Sequence, residues 1–250
     1  MKKTLDFFLT KFPKLYAAAL KFKPRRNFEK IVFLKNIRRG EVVLDVGAHH
    51  GYYTLLFSHV VGPRGQVHAF EPVPVTFQTL SENTRAGRYF ENIFLNPAAA
   101  GNQNGSVSFY VPGEDFGQAS MKKHGEGSWK NAPMPDTYAS HIIRLDDYAE
   151  SHFGDKKVDF VKMDIEGAEL EALKGFEKTI LRDRPKLYLE VCRDWTKDFG
   201  YEPVELVRFL KRLGYRKFWL VTGELRFLED PEEALSRENL PASANLLCEA

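Results

Sequence analysis

Acidic side chains close three apolar runs in this sequence, and their types and spacing fit a nucleoside-binding loop beside a pair of acid–base residues. The first run ends in Asp45-Val46-Gly47-Ala48-His49-His50-Gly51. Gly47 permits a tight turn there, and Gly51 lets a ligand or another backbone come close. The three-glycine dinucleotide pattern is absent, and Asp45 stands where that pattern has its first glycine. A carboxylate at that place repels a pyrophosphate but suits an ammonium or sulfonium charge, which favours S-adenosylmethionine (SAM). The second run ends in Phe70-Glu71-Pro72, with Glu71 24 residues after Gly47. An acid so placed accepts hydrogen bonds from the ribose hydroxyls of an adenosine ligand.

The third run gives Lys162-Met163-Asp164-Ile165-Glu166-Gly167-Ala168-Glu169. Glu166 and Glu169 fit the first turn of a helix, where the dipole favours carboxylates without any catalytic role. Asp164 directly follows the strand, beside the expected cofactor site. Glu190 lies near the end of the next apolar run, where a half-buried acid needs a partner. Asp164 and Glu190 together can orient a substrate hydroxyl, hold a divalent cation or act as general base. His50, at the mouth of the glycine loop, is a second candidate base because imidazole titrates near neutrality. His124 and His141 could serve only if their segment folds over the site.

These residues need a scaffold, and the hydrophobic pattern supplies one. Strand-like runs fall at 41–46, 67–70, 92–96, 158–163 and 186–191, and helical spacing at 52–60, 75–86, 168–181 and 203–213. Nearly all-apolar strands separated by helix-length segments predict a doubly wound α/β fold, its parallel sheet covered on both faces. Ligands in such folds bind beyond the carboxyl ends of the strands. Two more strands are predicted at 217–221 and 244–249, forming an antiparallel pair at the far edge. The Gly-, Ser-, Asn- and Pro-rich stretch at about 101–140 breaks the rhythm and, apart from one strand-like run, SVSFYV, reads as a loop insertion over the active face.

Composition narrows the class. Of 250 residues, 43% are hydrophobic and 28% charged, which excludes disorder and fibrous repeats. Two cysteines, Cys192 and Cys248, are too few for a disulfide framework and fit buried thiols. Residues 1–26 carry a charge of +7 and the rest of the chain −5. Residues 1–40 therefore read as a basic amphipathic helical segment ahead of a domain at 41–250. That segment can cap the domain, pack in a homodimer, or touch an anionic membrane surface. No apolar stretch is long enough to span a bilayer, and no continuous signal-peptide core is present, so the expected location is cytoplasmic. The acidic remainder opposes nucleic acid as a partner.

The stretches LDVGAHHGYYTL (44–55), FEPVP (70–74), RLDDYAE (144–150) and VKMDIEGAELEALKG (161–175) resemble the FkbM family of SAM-dependent methyltransferases. The resemblance implies a class I methyltransferase fold: a Rossmann-like, seven-stranded, mostly parallel sheet whose last strand is antiparallel. It implies that Asp45, Gly47 and Gly51 line the methionine end of SAM and that Glu71 holds the ribose. Ala48, His49 and Pro72 complete the candidate cofactor-binding set. His49 replaces an Asn common in relatives, and Cys192 stands where relatives often place His. The implied activity is methyl transfer to a hydroxyl oxygen of a small molecule: a sugar, a glycan, a phosphorylated or lipid-linked sugar, or a natural product. The alternatives are a nucleotide-dependent oxidoreductase and a SAM-fold binding module without catalysis.

Overall fold

The computed structural model describes residues 24–85, 90–125, 129–130, 134–236 and 243–250. Residues 1–23, which hold most of the basic amphipathic segment, lie outside the described residues. The chain runs α1 (Pro24–Asn36), β1 (Val42–Val46), α2 (Tyr52–Val61), β2 (Gln66–Phe70), α3 (Pro74–Arg85), β3 (Ile93–Asn96), β4 (Ala98–Ala100), β5 (Gly105–Val111) and β6 (Asp136–Ile143). It continues through α4 (Leu145–His152), β7 (Phe160–Met163), α5 (Glu169–Lys174), α6 (Glu177–Asp183), β8 (Lys186–Cys192), α7 (Arg193–Asp198), α8 (Pro203–Arg212), β9 (Lys217–Val221), β10 (Leu225–Phe227), α9 (Pro231–Ser236) and β11 (Ser243–Glu249). No helix among the described residues is long and apolar enough to cross a membrane.

The main sheet has the order β10-β9-β11-β8-β7-β1-β2-β3. Strands β3, β2, β1, β7 and β8 are parallel, while β11 is antiparallel to both β8 and β9. Seven of these strands are the expected ones. The eighth, β10, pairs with β9 and extends the edge. The two C-terminal runs do pair antiparallel, but β11 sits inside the sheet, between β8 and β9.

Alternation along the strands sorts side chains to two cores. Leu44, Val161, Leu187 and Leu189 face one layer, against Leu170, Leu173, Ile180, Leu206 and Leu210. Val43, Phe160 and Tyr188 face the other, against Phe33 of α1 and Phe57 of α2. Phe33 meets Tyr53, Phe57, Phe160 and Tyr188 edge to face, with ring centroids 4.7–6.0 Å apart. Glu29 of α1 accepts hydrogen bonds from the Tyr53 and Tyr188 hydroxyls and the Asn245 amide. The described part of the N-terminal segment is thus core structure. Both cysteines are buried and unpaired.

Two expectations need correction. Helical spacing predicts one helix over 168–181, but the chain breaks into α5 and α6 at Gly175. A Cβ on Gly175 would lie 1.9 Å from the Gly101 carbonyl oxygen, so the chain passes too close there for a side chain. The buried Asp146 carboxylate then accepts the backbone N–H groups of Lys178 and Thr179, capping the new helix. The stretch at 101–140 is also more than a loop: besides β5, which holds the strand-like run SVSFYV, most of β6 lies within it. With β4 they form a separate sheet of order β4-β6-β5.

Candidate active site

The chain order reverses between β1 and β7, which are paired in parallel, and the predicted acids gather at the carboxyl ends of these strands. After β1, Gly47 and Ala48 donate their N–H groups to the Phe70 carbonyl at 3.1 and 3.0 Å, fixing the loop to the end of β2. Gly47 has φ +79°, and a Cβ there would fall 1.9 Å from the Asp164 carbonyl oxygen. Glycine therefore lets the β1 and β7 loops meet. Gly47→Ala is expected to cost about 2–5 kcal/mol, from the left-handed backbone and the forced displacement together. Chemical denaturation of the variant checks this; a loss below the error of the extrapolation would show that the loops can move apart freely.

Asp45 and Lys162 tie the two strands from within. Asp45 is wholly buried, and its Oδ2 accepts the Thr54 hydroxyl at 2.6 Å. Lys162, 3% exposed, donates to the Gly47 carbonyl at 2.8 Å. Its Nζ lies 3.5 Å from Asp45 Oδ1 and 3.3 Å from Asp164 Oδ2. Burial raises the Asp45 pKa against the pull of Lys162. Burial alone would lower that of Lys162, but Asp164 and Asp45 outweigh it and hold the ammonium above its ordinary value. Sequence reasoning singled out Asp45 and Asp164 but passed over Lys162. The available signal was a lone cation inside an apolar strand, which needs a buried counter-charge.

Glu71 follows β2, 5% exposed. Its Oε2 accepts the His49 N–H at 2.9 Å and its Oε1 the Val73 N–H at 3.0 Å. Burial raises its pKa to about 7 despite these bonds. Each carboxylate oxygen keeps a second lone pair for a ligand hydroxyl. His49, with φ +49°, turns its backbone to Glu71 and sets its ring, tilted, against His50 with centroids 3.8 Å apart. Burial, with help from His50 and Lys162, lowers the His49 pKa to about 4. Its Nε2 is shut off from solvent without a hydrogen-bond partner.

The β7 loop carries Asp164, Glu166 and Glu169, and β8 carries Glu190. Glu166 adopts φ +57° and Gly167 φ +95°, a sharp turn that brings Asp164, Glu166 and Glu190 together. One oxygen of each lies within 4.8 Å of the others. Burial and then mutual repulsion raise the pKa values of Glu166 and Glu190. Ser243 donates to Glu190 Oε1 at 3.1 Å, from β11. Glu169 is apart from this group: its Oε1 accepts the Ile165 N–H at 2.9 Å, and burial raises its pKa to about 7.

A cavity of about 290 Å³ lies over these strand ends, near the lower bound for a small-molecule cleft. Gly47, Ala48, His49, His50, Glu71, Pro72, Asp164 and Glu166 all line it. Asp45, Gly51 and Glu190 stand behind the lining: Asp45 acts through Lys162, and Gly51 packs where a Cβ would meet Leu80. The far wall comes from Ala98–Ala100 of β4, Phe109 of β5, and Phe116, Gly117, Ala119 and Met121 of the segment after β5. Ser120 pins that segment by donating to the Glu166 carbonyl at 3.2 Å. The other histidines lie elsewhere. His124 is bonded to Asp198 at 2.6 Å and stacked on Trp195, while His141 is exposed on β6.

The methyltransferase FkbM domain model matches residues 45–217. The chain is similar to the 31-O-demethyl-FK506 methyltransferase FkbM of Streptomyces tacrolimicus, 29% identical over 163 residues, 56% of this chain and 61% of that one. It is 27% identical to the 2-O-methyltransferase NoeI of Sinorhizobium fredii over 154 residues, 57% of this chain and 60% of that one. The chain thus spans about three fifths of the length of these relatives. Its fold is similar to the crystal structure of a methyltransferase FkbM from Methylobacillus flagellatus. The TM-score is 0.51 at 17% identity, over 98% of this chain and 59% of that one.

Proposed function

The chain belongs to the FkbM methyltransferase family, and from this premise we propose that it binds SAM and methylates a hydroxyl oxygen of a small molecule: a sugar, a glycan or a natural product. The observation that carries the reading is the pairing, across one cavity, of a buried carboxylate at Glu71 with the acids after β7. The names of two relatives, a 31-O-demethyl-FK506 methyltransferase and a 2-O-methyltransferase, support oxygen as the methyl acceptor.

The residues present fit SAM. Glu71 has free lone pairs for two ribose hydroxyls, the small side chains of Ala48 and Ala98–Ala100 leave room in the wall, and His49 Nε2 is an orphaned polar atom. Gly47, Ala48 and His49 would hold the methionine end, and Glu71 with Pro72 the ribose. When bound, SAM supplies an electrophilic methyl carbon, so placing the acceptor oxygen in line is a large part of catalysis. An alcohol is a weak nucleophile at neutral pH. Asp164, on the cavity wall with Glu190 behind it, orients the acceptor hydroxyl and takes its proton; His50, exposed at the cavity mouth, is the second base. The segment from Phe116 to Met121 shapes the acceptor side.

Calorimetric titration with SAM and, separately, with NADH tests the cofactor. Transfer of labelled methyl from SAM to a panel of sugars and hydroxylated natural products tests the acceptor. Saturable SAM binding without an NADH response, followed by label in an ether linkage, is the expected result. Binding of NADH alone would replace this reading with an oxidoreductase. SAM binding with label only on nitrogen or carboxylate acceptors would overturn the hydroxyl assignment.

A further inference from the structure

We propose that Asp164, Glu166 and Glu190 form a binding site for a hard divalent cation at the edge of the cavity. Three carboxylates from two adjacent strand ends bring one oxygen each within 4.8 Å of the others. Glu166 Oε2 and Glu190 Oε2 are both closed off from solvent, and neither has a hydrogen-bond partner. A buried carboxylate oxygen without a partner is costly, and two of them beside a third acid are more so. Lys162 reaches Asp164 at 3.3 Å, but it also serves Asp45 and the Gly47 carbonyl.

The backbone is built to keep the group together. Glu166 sits in the left-handed region, which a long side chain seldom occupies without compensation, and Gly167 beside it packs against the Trp195 backbone. Ser120 holds the Glu166 carbonyl and Ser243 one oxygen of Glu190, so both acids are fixed from outside the cluster. The donors are all oxygen, which selects Mg²⁺, Mn²⁺ or Ca²⁺ over the thiolate- and imidazole-seeking metals. Three protein ligands leave coordination positions for water and for oxygens of an acceptor. A cation there would lower the pKa of an acceptor hydroxyl bound to it.

Cation binding is measured on the full chain without SAM or acceptor, so it stands or fails apart from the methyltransferase reading. The probe is MnCl₂, followed by calorimetry and by thermal melting, with MgCl₂ and CaCl₂ as competitors. The wild type is expected to bind one Mn²⁺ and to melt at rising temperature as Mn²⁺ is added. Glu166→Gln and Glu190→Gln have the opposite signature. Each puts a neutral amide where holding the ion would require an ionised carboxylate, so the metal-free variant should melt close to or above the wild type. Each should also bind Mn²⁺ more than about 100-fold more weakly, a larger loss than removing an outer-shell partner brings. A wild type that saturates with SAM but neither binds Mn²⁺ nor shifts in melting would overturn the cation site alone. Variants that bind Mn²⁺ as the wild type does would place the ion elsewhere and overturn it too.

Discussion

Lys162→Met is expected to destabilise the protein by about 3–5 kcal/mol, because it strands a buried carboxylate without its counter-charge. Asp45 has no exposure and lies on the central strand β1, so no water can replace the ammonium without opening the sheet. Methionine matches the volume of the lysine stem, which keeps packing loss small and isolates the electrostatic cost. The same change frees the Gly47 carbonyl, which accepts from Lys162 at 2.8 Å, so the loop over the cavity loosens as well.

Two further measurements separate charge from packing. Asp45→Asn in the Lys162→Met background removes the stranded charge and retains a side-chain oxygen for Thr54. It should therefore recover more than half of the loss, a coupling that denaturation of the double-mutant cycle reads directly. The pH dependence is also fixed in sign. Without Lys162, burial holds the folded-state pKa of Asp45 above its unfolded value. The folded state then binds the extra proton, and stability is lost as pH rises through the folded pKa. The variant should gain on the wild type as pH is lowered. A loss of less than about 1 kcal/mol, the size expected of an exposed pair, would show that Asp45 and Lys162 are solvated in solution.

That ion pair also shows where sequence reasoning stops. The strands of the main sheet are legible because they are buried on both faces and therefore nearly all apolar, as VVLDV and FVKM show. Asp45, Glu71 and Asp164 are legible as acids at strand ends. The register that sets Asp45 opposite Lys162 is a pairing of distant segments, and no local pattern encodes it. In the second sheet β5 was legible, but β4 and β6 were hidden for a different reason. Strand β6 reads DTYASHII, half-exposed and polar, and β4 is only AAA, so neither carries the alternation that marks a strand. Yet β4 supplies three residues of the cavity wall. The helix break at Gly175 depends on a close approach to Gly101, again invisible in local spacing.

Glu71→Ala is expected to weaken SAM binding by about 100-fold or more, since two charge-assisted hydrogen bonds of about 1.5–3 kcal/mol each are lost. Calorimetry reads the affinity. A melting curve reads the separate structural cost, because Glu71 also accepts the N–H groups of His49 and Val73. A variant that stays folded and binds SAM like the wild type would remove Glu71 from the site. The wild type supplies a second, mutation-free reading. Burial, partly offset by the two backbone bonds and by Lys162, leaves the free carboxyl with a pKa of about 7, and Asp45 adds to the upward push. Since the folded pKa exceeds the unfolded one, Glu71 stabilises the ligand-free fold fully below about pH 4.5. That contribution is lost as pH rises through about 7. Ribose hydroxyls donate best to the ionised carboxylate, so SAM affinity should rise with pH up to about 7 and then level off. Binding near neutrality should release a proton, seen as a heat that changes with the ionisation enthalpy of the buffer. SAM should accordingly raise the melting temperature most above pH 7, where the ligand-free protein has lost the benefit of the protonated acid.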